Sequence, residues 1–423
     1  MRPLGLLTLL IPVAVHASTP LSLPEAVALA QKASPVLRAA RADLAVALAA
    51  EKGAWAMTGP QASANGFLTT GNNAANYASP PLSEPGVVMA APPGRFLDGN
   101  LMVMVPLLAQ QLQSMAASFR WQSKAAAGEF KEAQSDVTLR VTEAYNQVLF
   151  MQAEVAVSEA KLASTRELLK TTEALFESGA GIQASVQRVR AEMSRSERDL
   201  VTARNNEAKA RLNLNEAMGV PLESEFTLAS FHDVPKEASA LAEWLKRAQI
   251  ERGVLIASRA RTLASGSELR AARDQALPKL YATGMADATN RRDMGGLSVG
   301  LSLSFPLFDG GRVRSEVAKA KAMKEKADAN LAEVELSVSR EVRQAFLDFE
   351  TARSNMSSVE TELTAVEAAY NVIAIRVAAG KGILLEQLDS LQTLTRSRAD
   401  HAQARLDLQL SMARLRRAAG GVQ

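Results

Sequence analysis

The second half of this chain repeats the first half at a constant shift of 218 positions (241 minus 23). The matched residues are Leu23, Glu25, Ala30, Gln31, Val36, Leu37, Ala39, Arg41, Pro60 and Gly66, which recur as Leu241, Glu243, Ala248, Gln249, Val254, Leu255, Ala257, Arg259, Pro278 and Gly284. Agreement at a fixed spacing indicates internal duplication. The sequence therefore predicts a first repeat at 18–218 and a second at 241–423, joined by a linker at 219–240.

The first residues are typical of a secretory signal peptide. A positively charged residue, Arg2, precedes an apolar run from Leu4 to Val15. The small-residue cleavage site Val15-His16-Ala17 follows. A short membrane anchor is the alternative, but the run falls short of the roughly 20 residues that a spanning helix needs. We therefore expect residues 1–17 to be removed from an exported protein.

Composition excludes several classes of function. The chain has no cysteine, so disulfides and thiolate metal sites are excluded. Basic and acidic residues nearly balance and are interspersed, which argues against a nucleic-acid partner. Aromatic residues make up only 4% of the chain, which is sparse for conventional cores and favours long Ala-rich helices.

Each repeat contains a stretch long enough for an exceptional helix. No proline occurs from Ala109 to Phe176 or from Gly311 to Val377, and each stretch would extend roughly 100 Å as one helix. Glycines follow both stretches, and further helical runs continue to Met218 and Ala419. Since glycine lets a helix stop and reverse, we predict long helical hairpins at 109–218 and 311–419.

The two predicted coiled-coil seams differ in polarity. The second follows heptad steps through Met356, Val359, Leu363, Val366, Tyr370, Ile373 and Val377. The first has Val155, Leu162, Leu169 and Phe176, alternating with Ser158, Thr165 and Thr172. Either this polar side is surface-exposed, or it borders water inside an assembly.

Between the opening helices and each hairpin, apolar residues recur at every second position, which is the spacing of a β-strand and not of a helix. Leu297, Val299, Leu301, Leu303 and Phe305 alternate with small polar residues, and Lys279–Ala288 precedes them across a turn. The first-repeat strands are Gln61–Thr69 and Asn100–Pro106, joined by the insertion Asn72–Gly99, which we expect to be an exposed loop. The strand pairs thus lie at 61–106 and 279–306.

Strand length and number together predict an oligomer. Nine or ten alternating residues match a tilted transmembrane β-strand, although soluble hairpins remain an alternative on pattern alone. A sheet in lipid must close, and the smallest membrane barrels use about eight strands. One chain supplies only four, so several chains would have to share a barrel.

The sequence resembles the TolC family of outer-membrane efflux proteins over the whole mature chain. The resemblance rests on Leu21-Ser22-Leu23-Pro24-Glu25-Ala26 with Ser34-Pro35, on Phe305-Pro306-Leu307-Phe308-Asp309-Gly310-Gly311, and on the glycine tips. It implies a mainly α fold with a small β part: duplicated coiled-coil hairpins, and four strands per chain in a trimeric 12-stranded transmembrane β-barrel. It also implies a homotrimer in outer-membrane lipid whose tunnel extends into the periplasm, served by a periplasmic adaptor (membrane fusion) protein and an inner-membrane pump.

The resemblance also assigns roles to residues at the hairpin tips. Glu386 and Asp389, spaced i, i+3 after the second tip, match the family's paired acidic gate positions. The predicted adaptor-docking tips are Gly179, Gly181, Ile182, Gly380, Gly382 and Ile383. The family's aromatic and arginine lock residues are replaced here by Val377 and Gly382, so any lock must use other contacts.

No pattern for bond-making chemistry is present in the sequence. His232 and His401 are the histidines left after signal removal, and no phosphate loop or nucleophile elbow occurs. We therefore expect no catalytic, cofactor or metal residues and a passive channel. The alternative is a periplasmic or surface structural coiled-coil protein without channel activity.

Overall fold

The computed structural model describes residues 20–71, 94–179, 181–230, 240–289, 296–379 and 381–421. The helices are α1 Leu23–Ala33, α2 Pro35–Ala56, α3 Gln110–Glu177, α4 Gln183–Met218, α5 Leu241–Glu251, α6 Gly253–Asp274, α7 Arg312–Ala378 and α8 Leu384–Ala418. The strands are β1 Gln61–Gly71, β2 Gly94–Leu108, β3 Lys279–Thr289 and β4 Gly296–Ser304. The predicted signal peptide, most of the Asn72–Gly99 insertion, part of the 219–240 linker and Gly380 lie outside the described residues.

The order of elements is the same in both halves of the chain. Helices α1 and α5 each have 11 residues and α2 and α6 each have 22, and both pairs keep the shift of 218 seen in the sequence. The first helix begins at a capping box, in which the Glu25 carboxylate accepts hydrogen bonds from the Ser22 backbone N–H at 2.8 Å and its hydroxyl at 2.7 Å. These two hydrogen bonds lower the pKa of Glu25.

The long helices α3 and α7 have 68 and 67 residues, and each agrees with its predicted stretch to within one residue at either end. Each is followed by a returning helix, α4 or α8, of 36 or 35 residues. Within the described ranges, no helix combines the length and the hydropathy required to cross a membrane.

The four strands form one antiparallel sheet in the order β1-β2-β3-β4. Strand β2 begins at Gly94, so the prediction of a loop through Gly99 was wrong for Gly94–Gly99, which pair with β1. The misleading signal was the Pro, Gly and Asn content of the whole 72–99 insertion, which in Gly94–Gly99 was overridden by pairing with a neighbouring strand.

The sheet register separates an apolar face from a mostly polar face, which also carries Met102, Met104 and Met285. Leu301 pairs with Ala282, and Val299 with Gly284, which in turn pairs with Val103. The next residue along each strand points the other way, which places polar side chains together on the opposite face. The residues of that face include Gln61, Ser63, Asn65, Asn100, Lys279, Tyr281, Thr283, Asp287, Ser298, Ser302 and Ser304.

The described chain divides into two compact units, and both take segments from each half. One comprises residues up to 41, 129–253 and 335 onward, and the other comprises 42–128 and 254–334. The first unit has an apolar core of α1–α4 residues, among them Leu37, Val141, Leu214 and Met218. The Tyr145 hydroxyl lies beside this core, 2.8 Å from the Leu21 carbonyl oxygen and 2.9 Å from that of Ala229.

Two of the three polar residues on the α3 seam are buried, so both sequence explanations were wrong for them, whereas Ser158 is half-buried. Thr165 and Thr172 are 0% and 5% exposed. Their hydroxyls donate to the carbonyls of Lys161 and Leu168, one turn earlier, which satisfies them without water. A threonine paired in this way packs as a small apolar residue does.

Candidate functional site

The second strand pair leads into α7 through a cap built by Asp309. Its carboxylate accepts hydrogen bonds from the backbone N–H groups of Gly311 at 2.9 Å and Val313 at 2.8 Å. Gly310 and Gly311 both have positive φ, 64° and 89°, which glycine adopts readily. The hydrogen bonds from Val313 and Gly311 lower the pKa of Asp309. The Asp-Gly-Gly motif thus turns the chain from strand to helix and starts α7.

At the first hairpin tip, the two glycines serve different purposes. Gly179 adopts φ 78° just after α3, as predicted for a glycine that ends a helix. Gly181 lies against the preceding turn, where an added Cβ would come within 3.0 Å of the Phe176 backbone nitrogen. Ile182 then leads into α4 and is 66% exposed.

The second tip repeats this arrangement more tightly. A Cβ on Gly382 would come within 2.6 Å of Val377 Cγ2 and 2.9 Å of the Val377 nitrogen. The Lys381 backbone N–H donates to the Arg376 carbonyl at 2.9 Å. Ile383 leads into α8 and is 70% exposed, so both tips present an apolar side chain to the surroundings.

The two predicted gate acids lie in the first turns of α8, but in different settings. Glu386 is half-buried and its Oε1 lies 3.8 Å from Nη1 of Arg376, on the last turn of α7. Asp389 is exposed, and among the described residues no cation lies within 4.0 Å of its carboxylate. Arg376 could not be predicted from the sequence, because ten positions separate it from Glu386 and only the hairpin turn brings them together.

The hairpins contact each other just above the tips. Leu168 of α3, Val189 of α4 and Leu388 of α8 form one buried cluster, with Leu169 and Leu384 packed against it. Leu388 directly precedes Asp389, so the position of this acid on α8 is fixed by a packed neighbour.

A partly buried ionic network around Arg252 lies at the opposite end of the same unit. Arg252 is 3% exposed. Its Nη2 lies 2.7 Å from Oε2 of Glu341 and 3.2 Å from Oε1 of Glu132. Nη2 of Arg417 lies 2.8 Å from Oδ1 of Asp136 and 3.1 Å from Oε1 of Glu132. Arg417 also forms an ion pair with Glu341. Burial alone would lower the pKa of Arg417, but the three carboxylates outweigh it and raise the pKa. No sequence pattern predicts this network, because its members come from both halves of the chain.

A cavity of about 550 Å³ between α3, α4 and α8 contains several charged side chains. Glu154, Lys161, Asp199 and Asp400 are among its lining residues. Burial, and then the charge of Asp400, raises the pKa of Glu154. Nζ of Lys161 lies 3.0 Å from Oδ2 of Asp199 and 3.2 Å from Oε1 of Glu192, so Lys161 forms ion pairs with these two acids.

No group of three or more His, Cys, Asp or Glu side chains arranged to hold a metal ion occurs in the part of the chain that the structure describes.

The family profile described as "Outer membrane efflux protein" matches residues 26–220 and 244–421. The chain therefore belongs to the outer membrane efflux protein family, which confirms the resemblance found in the sequence. The two matched segments correspond to the two halves of the duplicated chain.

Two curated relatives agree with this family. The alkaline protease secretion protein AprF of Pseudomonas aeruginosa is 27% identical over 305 residues, which cover 69% of this chain and 63% of that protein. The outer membrane protein TolC of Escherichia coli is 24% identical over 307 residues, 68% of this chain and 62% of that protein. The aligned region thus spans less than two thirds of the length of either relative.

Solved structures show the same fold over nearly the whole chain. The outer-membrane channel OprN has a TM-score of 0.78 at 23% identity, covering 94% of this chain and 90% of that one. CusC has a TM-score of 0.79 at 15% identity, covering 96% of each chain. The outer membrane channel CmeC of Campylobacter jejuni has a TM-score of 0.77 at 17% identity, covering 97% and 90%.

Proposed function

We propose that this protein is the outer-membrane channel of a tripartite efflux or secretion system, a passive conduit for substrates across the periplasm and the outer membrane. The observation that carries this function is the sheet, which exposes a continuous apolar face. Leu297, Val299, Leu301 and Leu303 are all exposed in the single chain. Four strands with a lipid-like face and a polar face fit a segment of a membrane barrel whose lumen is wet.

The assembly we propose is a homotrimer with a shared 12-stranded barrel. Strands β1 and β4 each pair with one neighbour among the described strands, so each has an edge free for a strand of another subunit. Three copies of four strands give twelve, above the minimum of about eight for a membrane barrel. We place the two repeats at 18–218 and 241–423, each contributing one strand pair and one helical hairpin.

The partners we propose are a periplasmic adaptor and an inner-membrane pump. AprF is named as a protease secretion protein and OprN as an outer-membrane channel, which supports a transport role and leaves the cargo open. We assign adaptor docking to the tips, Gly179, Gly181, Ile182, Gly380, Gly382 and Ile383. The exposure of Ile182 and Ile383 supports this assignment, because an exposed apolar side chain gains free energy when a partner covers it.

We further propose that Glu386 and Asp389 form the gate. In a three-fold assembly they would make two rings of carboxylates, which attract cations and hinder anions. Replacing both with Gln and Asn should weaken block of the channel by multivalent cations. Unchanged block in the double variant would reject this assignment.

The test of the channel function combines oligomeric state with conductance. Protein purified in detergent should have the mass of a trimer plus bound detergent, and it should form discrete conducting pores in a planar lipid bilayer. A monomer that forms no pores would overturn the proposal. Extraction of the cell envelope with and without detergent distinguishes the channel from the structural coiled-coil alternative, because a structural coiled-coil protein would be released without detergent.

A further inference from the structure

The contact between Arg376 and Glu386 is a product of the tight second tip. Arg376 occupies the last turn of α7 and Glu386 the first turn of α8, which are the helix ends where the macrodipole favours a cation and an anion. The Lys381–Arg376 backbone hydrogen bond and the close approach of Gly382 to Val377 hold these two turns together. The ion pair is therefore built into the hairpin of a single chain.

The exposure of the pair indicates what it can do. The Arg376 and Glu386 side chains are 55% and 40% exposed, and such pairs contribute little to folding stability. Their effect on the local potential matters more. A cation 3.8 Å from a carboxylate leaves the pair without net charge and offsets part of the attraction of the carboxylate for a passing ion. Asp389, one turn further along α8, has no such counter-charge among the residues described.

We propose that Arg376 sets the charge of the gate by neutralising Glu386 within each subunit, so that Asp389 supplies the net negative charge. This inference rests on the proposed channel function and on the gate assignment. The three side chains then carry one net negative charge per subunit, two acids minus one base. Arg376 is thus a specificity-determining residue, which lowers the affinity of the tip for multivalent cations.

The first hairpin supports a role confined to the second. The two hairpin tips are related by a shift of 201 positions, the interval from Gly181 to Gly382 (382 minus 181). At this shift the residues corresponding to Arg376, Glu386 and Asp389 are Leu175, Ser185 and Arg188, so the first tip has no acidic pair at these positions. Its own ion pair joins Arg190 of α4 to Glu173 of α3 at 2.8 Å. Arg190 therefore provides a matched control: an arginine in a tip ion pair whose acid is not a gate residue.

The experiment measures the concentration of hexaamminecobalt(III), an inert trivalent cation, that halves the conductance of the reconstituted channel. Four variants are compared with the unchanged protein: Arg376→Gln, Glu386→Gln, the double variant Arg376→Gln/Glu386→Gln, and the control Arg190→Gln. All four keep side chains of similar size, so the helices and the turn are retained.

The proposal predicts a distinct order of block. Arg376→Gln raises the net negative charge and should lower the half-blocking concentration by about three- to tenfold. Glu386→Gln leaves Arg376 unpaired and should raise it by a similar factor. The double variant restores one net negative charge per subunit and should match the unchanged protein, and Arg190→Gln should leave block unchanged.

Other outcomes separate the inference from the function on which it rests. If Arg376→Gln matches the unchanged protein and the double variant matches Glu386→Gln, Arg376 has no influence on the gate charge. A higher unblocked conductance in Arg376→Gln with the same block would also overturn the inference, because it would identify a mechanical latch. If the unchanged protein forms no pores, the channel function itself fails.

Discussion

Gly382 lies so close to Val377 that a methyl group on its α-carbon would come within 2.6 Å of the valine Cγ2. At the first tip a methyl group on Gly181 would come within 3.0 Å of the backbone nitrogen of Phe176, again five residues earlier in the chain. Neither glycine has a positive φ. Lack of space, and not backbone conformation, therefore requires glycine at these positions, which differs from the reason predicted from the sequence.

Gly382→Ala should destabilise the second hairpin tip by roughly 1–3 kcal/mol, because the new methyl group meets both the Val377 side chain and its backbone nitrogen. This destabilisation should be visible as faster hydrogen exchange of the backbone amides at the end of α7 and the start of α8.

The matched control is Gly266→Ala, in the middle of α6, where an added Cβ meets nothing within 4 Å. Alanine favours a helix over glycine, so this change should be neutral or stabilising by up to about 1 kcal/mol. Equal protection at the tip in Gly382→Ala would contradict the close packing described above.

Leu301 and Ser302 are neighbours on β4 with side chains on opposite faces of the sheet. Leu301→Arg should impair membrane insertion, at a cost of about 2–4 kcal/mol near the bilayer midplane, because it places a charge in lipid. Ser302→Arg should insert normally, because its side chain points into the proposed lumen. Unfolding in lipid vesicles by denaturant measures the difference, and similar losses for both variants would argue against the assignment of the faces.

Arg417 and Arg414 lie three positions apart on α8 and differ in burial. Arg417→Ala leaves Glu132, Asp136 and Glu341 with one arginine among them and should cost roughly 3 kcal/mol of the free energy of unfolding. Arg414→Ala removes an exposed ion pair with Glu143 and should cost at most about 1 kcal/mol. Denaturant titration in detergent checks this, and comparable losses would mean that the network adds nothing beyond a surface pair.

Ionisation of Glu154 should lower the free energy of unfolding as pH rises. Its pKa is raised in the folded state, first by burial and then by Asp400, so the native protein binds this proton more tightly than the unfolded chain does. Stability is lost as pH rises from the unfolded pKa through the raised folded pKa, and the penalty persists above it. Glu154→Gln should remove that penalty and raise the midpoint of thermal unfolding at pH 7.

The control for this change is Glu159→Gln, five positions further along α3, where the acid is half exposed and pairs with Arg204 at 2.8 Å. This variant should not raise the unfolding midpoint at pH 7. If Glu154→Gln is as stable as the unchanged protein from pH 4 to pH 8, the cavity does not penalise the ionised acid.

Local patterns of residues were enough to predict the helices, the strands and their order. The absence of proline over the long stretches predicted α3 and α7 to within a residue, because proline is the strongest local obstacle to a helix. The alternation of Leu297 to Phe305 predicted β4, because side chains on a strand point alternately to opposite faces. These properties depend on near neighbours in the chain, so a pattern of residues is sufficient to reveal them.

Which distant side chains meet depends on the folded chain and could not be predicted from local patterns. Arg376 reaches Glu386 because a turn folds one helix back on another, and Arg417 reaches Asp136 across 281 positions of sequence. The burial of Thr165 and the pairing of Gly94–Gly99 likewise depend on neighbours far away in the chain. Charge and packing act through space at a few ångströms, a distance that spacing along the chain does not encode.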